Sequence, residues 1–355
     1  MSENTEVILQ RTGRLGHIIL NRPKAINALT HHMVLQIEAA LVEWEHDETV
    51  QTVLVTGAGE RGLCAGGDIV AIYRDALDGT GDTARFWGDE YRLNARIARY
   101  PKPYVAIMDG LVLGGGVGIS AHGSIRVVTE RTRIGMPETG IGFIPDVGGT
   151  HLLARAPGEY GTHLALTAGN ATGAEAIKLG LADHFVPSRK IAQLIAALAD
   201  TDVHLAVRRV AEPAPVPAEF TAKRRWINRC YAHEEVEQIL EALLDCPEPA
   251  AHQAAAAIQA KSPTALKLTL AALRAARGTR SLEETLEREY RIAVRAIAAP
   301  DMAEGIRAQV IDKDRNPKWN PASLTEVGAE QVAGFFESLG ENELSLRPTA
   351  DQRLA

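Results

Sequence analysis

Two acids, Glu138 and Asp146, stand eight positions apart in the stretch MPETGIGFIPDVGGT (136 to 150), among Gly, Pro and apolar residues and with no Lys or Arg inside it. In an apolar pocket the charged form of a carboxylic acid is disfavoured and its pKa rises toward neutrality. A pair of acids in that setting can hold different protonation states and divide acid and base work. Capping of turns within the loop is the plain alternative.

Upstream lie two glycine-rich corners. GAGERGLCAGGDIVAIYRDA (57 to 76) follows an expected strand at 52 to 56, turns twice and enters a helix near Asp68; LGGGVGISAHG (113 to 123) opens a helix between expected strands at 104 to 110 and 124 to 130. Backbone N–H groups at a helix start have no intrahelical partner and favour an oxyanion, which glycine lets approach closely. One donor from AGGD and one from GGGVG on the same oxygen would make an oxyanion hole; tight turns alone would use the same glycines. GAGERG and GVGISA also fit dinucleotide-type glycine spacing. The first runs into another turn and the second has no ribose-binding acid about twenty residues on, so a nicotinamide site is not expected. Cys64 has no identifiable His to activate it as a nucleophile and is expected to pack beneath the turn. Asp68 reads as an acid complementing the helix dipole.

These corners need a layered scaffold. HIILN (17 to 21) and TVLVT (52 to 56) read as strands, and THHMVLQIEAALVEWEHD between them reads as a helix capped by Thr30, with Met33, Val34, Ile37, Leu41 and Trp44 on one face. Short strands alternating with such helices indicate an α/β fold with a partly parallel sheet. After about residue 190 strand signals vanish. AEPAPVPAE (211 to 219) reads as a connector, and helices are expected at 234 to 244, 264 to 277, 281 to 298 and 302 to 312, packed over the mouth of the α/β core.

The 355 residues are 46% hydrophobic and 23% charged, as in an ordinary globular chain, and the net charge of -7 argues against a nucleic-acid partner. Cys64, Cys230 and Cys246 are odd in number without a CxxC pair, and the eleven His include no HExxH, so neither disulfides nor a metal are expected. No apolar run is long enough to span a membrane and the first residues lack signal or transit character. Cytoplasmic residence is the expectation.

RPKAINALT, LCAGGDI, LGGGVGIS and MPETGIGFIPDVGGT, in that order and spacing, resemble the enoyl-CoA hydratase/isomerase (crotonase) superfamily. CAGGDI, FWGDEYRLN, GGGVGISAHG, MPETGIGFIPDVGG, KSPTALKLTL, EREYRIA and EGIRAQVIDKDRNPKW resemble its 3-hydroxyisobutyryl-CoA hydrolase family, over roughly residues 6 to 340. The resemblance implies a ClpP/crotonase-like ββα spiral core over residues 1–200, a C-terminal helical region over 201–355 packed on the active site, and an acyl-CoA thioester as ligand with no further cofactor. It matches Gly67 and Gly115 to the family's oxyanion-hole amides, Glu138 and Asp146 to its active-site acids, and Glu90 to a substrate-contacting acid. Lys24 to Asn27 match the segment lying along CoA, which makes Lys24 and Asn27 candidate substrate-binding residues.

Hydratases of the superfamily use two glutamates. The position of the first is Gly118 here, while Glu138 fills the second and Asp146 replaces a hydratase glycine. The resemblance therefore implies hydrolysis of (S)-3-hydroxyisobutyryl-CoA to 3-hydroxyisobutyrate and CoA, a step of valine breakdown. A hydratase or isomerase acting on unsaturated acyl-CoA and a catalytically silent acyl-CoA-binding protein are the alternatives. Glu138 as general base and Glu138 as nucleophile both remain open, and a homo-oligomer is compatible with the sequence without being specified by it.

Overall fold

The larger of two sheets is built from the most apolar strands of the chain. The computed structural model describes residues 5–346 except residue 280, with the side chains at 218, 219 and 221 also outside the description. The outer ends of the two expected regions, 1–4 and 347–355, thus lie outside the described residues. In chain order the strands are β1 (Val7–Thr12), β2 (Leu15–Leu20), β3 (Thr52–Gly57), β4 (Gly62–Cys64), β5 (Tyr104–Met108), β6 (Leu111–Leu113), β7 (Ile125–Val128), β8 (Arg133–Gly135), β9 (Asn170–Thr172) and β10 (His184–Phe185).

One sheet runs β1-β2-β3-β5-β7-β10, the other β4-β6-β8-β9. β1 and β2 form an antiparallel hairpin, and every pairing from β2 to β10 in the first sheet is parallel. Parallel strands are covered on both faces and so read as continuous apolar runs, as YVAIM in β5 does, fully buried along its length. One face of the sheet meets the helix His31–His46 through Met33, Val34, Ile37, Leu41 and Trp44, and Thr30 caps that helix by accepting from Met33 N–H at 3.2 Å. Leu54, Val105, Ile107 and Val127 point the other way, into a second core closed by the helices Ile191–Asp200 and Val203–Val210.

The strands alternate between sheets: β3 leads to β4, β5 to β6, β7 to β8, and each pair ends in a helix or helical turn. This is the ββα spiral implied by the resemblance; hydrophobic periodicity alone had reached only a layered α/β arrangement. Helices Val236–Leu244, Pro263–Gly278 and Leu282–Ala298 follow the expected ranges closely. The range 302 to 312 divides into a helix Pro300–Ile306 and a wider turn Arg307–Ile311. Two more helices, Ala218–Cys230 and Pro249–Gln259, were not expected; the second buries mostly Ala, which gives little hydrophobic contrast to read. Among the described residues no helix is long and apolar enough to cross a membrane.

Candidate active site

Three neighbouring strands of the small sheet deliver the site. β4, β6 and β8 are adjacent and parallel, so their C-terminal ends open on one edge about 4.8 Å apart. Leaving that edge, the chain turns at Gly66 and Gly67 after β4, at Gly114 and Gly115 after β6, and at Pro137 and Glu138 after β8. The glycines let the corners touch: a Cβ on Gly116 would lie 2.6 Å from Cys64 O, and Gly66 holds φ 105°.

Among the described residues, each glycine corner has a main-chain N–H with no acceptor. Leu29 N–H donates to Gly66 O at 2.8 Å and Asp68 N–H to Leu29 O at 2.9 Å, so the bridge with Leu29 uses the groups flanking Gly67 and leaves the Gly67 N–H facing the other way. Gly115 opens the short helix Gly115–Gly118, where the first N–H groups have no intrahelical acceptor. Asp68 caps the helix Ile69–Asp78 and pairs with Arg22 at 2.9 Å. Cys64 lies buried beneath the corner, its thiol pushed up to about 12 by burial, which keeps it protonated and unreactive at neutral pH.

Gly67, Gly115, Glu90, Glu138 and Asp146 line one cavity of about 340 Å³. Glu138 heads a 3-10 turn, Glu138–Ile141, and its Oε1 sits where a Cβ on Gly114 would come within 2.8 Å. Glu90 projects from the helix Asp82–Arg99, its Oε1 2.6 Å from the corresponding point on Gly115. Asp146 follows Pro145 in a turn whose next residues, Val147 and Gly148, have φ of 50° and 78°. Trp87 stacks on Phe143 at 5.2 Å, and both line the same cavity. Lys261 is the cation among the lining residues; it also borders a second cavity lined by Leu240, Leu266 and Leu324.

The acids are almost completely dry: Glu90 is 2%, Glu138 7% and Asp146 5% exposed. Burial, reinforced by the Asp146 charge, pushes Glu90 and Glu138 well above the ordinary carboxylate range. Among the described residues, one oxygen of each, Glu90 Oε1 and Glu138 Oε2, is buried without a hydrogen-bond partner. Burial also raises Asp146, but the Tyr91 hydroxyl donates to its Oδ2 at 2.8 Å and holds it down to about 7. A charge on Asp146 opposes a charge on Glu90 or Glu138, so near neutrality the three acids hold fewer charges than carboxyl groups and titrate together. Perturbed acids in one cavity, facing unpartnered amides, are an arrangement for stabilising an oxyanion and moving protons beside it.

The sequence model described as Enoyl-CoA hydratase/isomerase matches residues 15–336. The chain belongs to the enoyl-CoA hydratase/isomerase family. Among curated members, the mitochondrial 3-hydroxyisobutyryl-CoA hydrolase of Rattus norvegicus is 41% identical over 97% of this chain and 91% of its own length. The Homo sapiens protein of the same name is 38% identical over 97% and 92%. Among solved structures, a carnitinyl-CoA dehydratase from Mycobacterium thermoresistibile is 50% identical, with TM-score 0.94, covering 98% of this chain and 100% of that one. An enoyl-CoA hydratase from Rhodobacter sphaeroides is 40% identical, with TM-score 0.89, covering 96% and 100%.

Within this enoyl-CoA hydratase/isomerase fold, Lys24 and Asn27 do not line the cavity. Asn27 is fully buried, donates to Ala58 O, Gly62 O and Leu63 O, and accepts from Arg22 N–H. Its expected contact with substrate is corrected: an amide with every hydrogen-bonding group engaged by backbone braces the β4 corner. Lys24 is exposed on the turn Pro23–Ala25.

Sequence reasoning missed Tyr91, Asn94 and Glu289. Asn94 and Val147 fill the space beside Gly118, where a Cβ would fall 2.7 Å from Val147 Cβ and 2.9 Å from Asn94 Nδ2. Glu289 lies on the buried stripe of its helix with Leu286, Ile292 and Ala293, and a Glu on an apolar stripe is the signal that could have singled it out.

Proposed function

We propose that this chain hydrolyses an acyl-CoA thioester, with (S)-3-hydroxyisobutyryl-CoA as substrate and 3-hydroxyisobutyrate and CoA as products. The thioester oxygen lies between the Gly67 and Gly115 N–H groups, where the charge of the tetrahedral intermediate develops; one such donor is worth about 100- to 1000-fold in rate. Glu138 and Asp146 share one negative charge across the reaction. In the reacting complex Glu138 holds that charge and works at the carbonyl carbon, either drawing a proton from water as it adds or attacking directly to give a mixed anhydride that water then hydrolyses, and protonated Asp146 supplies a proton to the departing sulfur. Glu90, beside Gly115, contacts the acyl hydroxyl.

The observation that carries this reading is the closed space at Gly118. The related solved structures are of proteins named as a dehydratase and a hydratase, whereas the curated relatives are hydrolases by name. A hydratase needs its first glutamate at 118, and that volume is already occupied by Val147 and Asn94. Carboxylates enter the cavity from 138, 146 and 90 instead. The helical region from 201 onward is part of the same catalytic unit, since Lys261, Met302 and Gln309 line the cavity. Residence in a reducing compartment, here read as the cytoplasm, belongs to this reading; free thiols fit such a compartment in general, and the named relatives are mitochondrial.

The test is release of free thiol from saturated 3-hydroxyisobutyryl-CoA, run beside an unsaturated acyl-CoA. Thiol appearing from the saturated thioester supports the reading. Loss of the enoyl double bond without thiol release would place the chain with the hydratases, and tight binding of both without turnover would make it a silent acyl-CoA binder.

A further inference from the structure

The turn that carries Asp146 is held in place from the far end of the chain. Glu289, on the helix Leu282–Ala298, is completely buried. One of its oxygens accepts from Gly148 N–H at 2.7 Å; the other accepts from Thr150 N–H at 3.0 Å and from the Thr150 hydroxyl. All three donors belong to the stretch just after Asp146. Between them and Asp146 lies Val147, a β-branched residue in the left-handed region at φ 50°, a conformation that persists only where its surroundings over-determine it. The neighbouring Tyr290 meets the Tyr91 ring edge-on at 6.2 Å, and Tyr91 donates to Asp146. Two consecutive residues of one C-terminal helix thus reach Asp146 by two routes, through the turn that follows it and through Tyr91.

We propose that Glu289 is a positioning residue, whose carboxylate fixes the strained Asp146–Thr150 turn so that Asp146 faces the thioester. A fourth buried acid close to Glu90, Glu138 and Asp146 is an unfavourable choice for stability alone, because its own charge is opposed both by burial and by Asp146. What its carboxyl group offers there is two oxygens that reach two main-chain amides at once, where the amide of Gln would present one oxygen and one N–H. The same region buttresses the other acid: Cβ atoms on Gly142 and Gly305 would each strike backbone of the opposing segment, at 2.4 Å, so the helix Pro300–Ile306 lies directly on the Glu138 turn.

The inference rests on the thioesterase reading, and the experiment separates the two. Thiol release by the unaltered protein comes first, and its absence would sink that reading before Glu289 is touched. Glu289→Gln is then compared for kcat and KM, and for binding of a thioether analogue lacking the scissile carbonyl, whose stoichiometry counts intact sites. Gln keeps one acceptor oxygen but turns an N–H toward a main-chain N–H. The expected result is a kcat lower by about 10- to 100-fold, the scale of a displaced reacting group, with full stoichiometry and KM little changed. An unchanged kcat, or a kcat that falls only in proportion to lost sites, overturns the proposal. Should Glu289→Gln not fold, Thr150→Val removes one of the three donors under the same readouts. A kcat several-fold lower at full stoichiometry is then expected, and an unchanged one overturns the proposal.

Discussion

The Tyr91 hydroxyl donates to Asp146 Oδ2 at 2.8 Å inside the core, and this bond keeps one acid of a dry cluster ionisable near neutrality. The wild-type kcat/KM should therefore rise with pH through about 7, as the cluster gains its working charge. Removing the donor with Tyr91→Phe disfavours the charged form, so the acid limb should move to higher pH by about one unit. Rates from pH 5 to 9 on both proteins check this; a limb that stays in place would dissociate Tyr91 from the ionisation of Asp146.

Glu138→Gln keeps the size of the side chain and abolishes its ability to carry charge. Turnover should fall by about 100- to 10,000-fold, with acyl-CoA still bound, as measured by thiol release and by calorimetric titration. Near-normal hydrolysis would remove Glu138 from the reaction.

Gly118 should resist substitution. The Cβ of Gly118→Ala meets Val147 and Asn94 below 3 Å, so the variant should lose about 1 to 3 kcal/mol of stability in chemical denaturation. Gly118→Glu should lose more, and should not acquire hydration of an enoyl-CoA. A stable, hydrating Gly118→Glu would show that the space can open.

Asp146 should also mark a trade between stability and function. Its ordinary value is 3.8 and its folded value about 7, so between those limits the folded state keeps a proton that the unfolded chain releases. The associated stability is present below about 4 and is lost as pH rises through 7. Asp146→Asn is spared that loss, so its Tm relative to wild type should be higher at pH 8 than at pH 5. A difference independent of pH would show that the carboxyl is not desolvated as described.

Much of this site was legible in the sequence because its parts are local. The glycine corners had to follow strands and open helices, and Glu138 and Asp146 stood out as acids without polar company. What escaped was long-range. Nothing near Gly118 announces that Val147 fills its space, because the contact depends on a turn that comes 29 positions later. Glu289 reaches Gly148 across 141 positions of chain. Asn27 misled in the opposite sense: the resemblance assigns it to substrate because its segment matches the one that lies along CoA in the family, and its position in the chain does not show that its amide braces three carbonyls.

The geometry at the carbonyl tests the account most directly. A crystal structure of Glu138→Gln with 3-hydroxyisobutyryl-CoA should place the thioester oxygen about 3 Å from both Gly67 N and Gly115 N, with residue 138 beside the carbonyl carbon. An oxygen turned away from either amide, or a carbonyl carbon remote from residue 138, would contradict it.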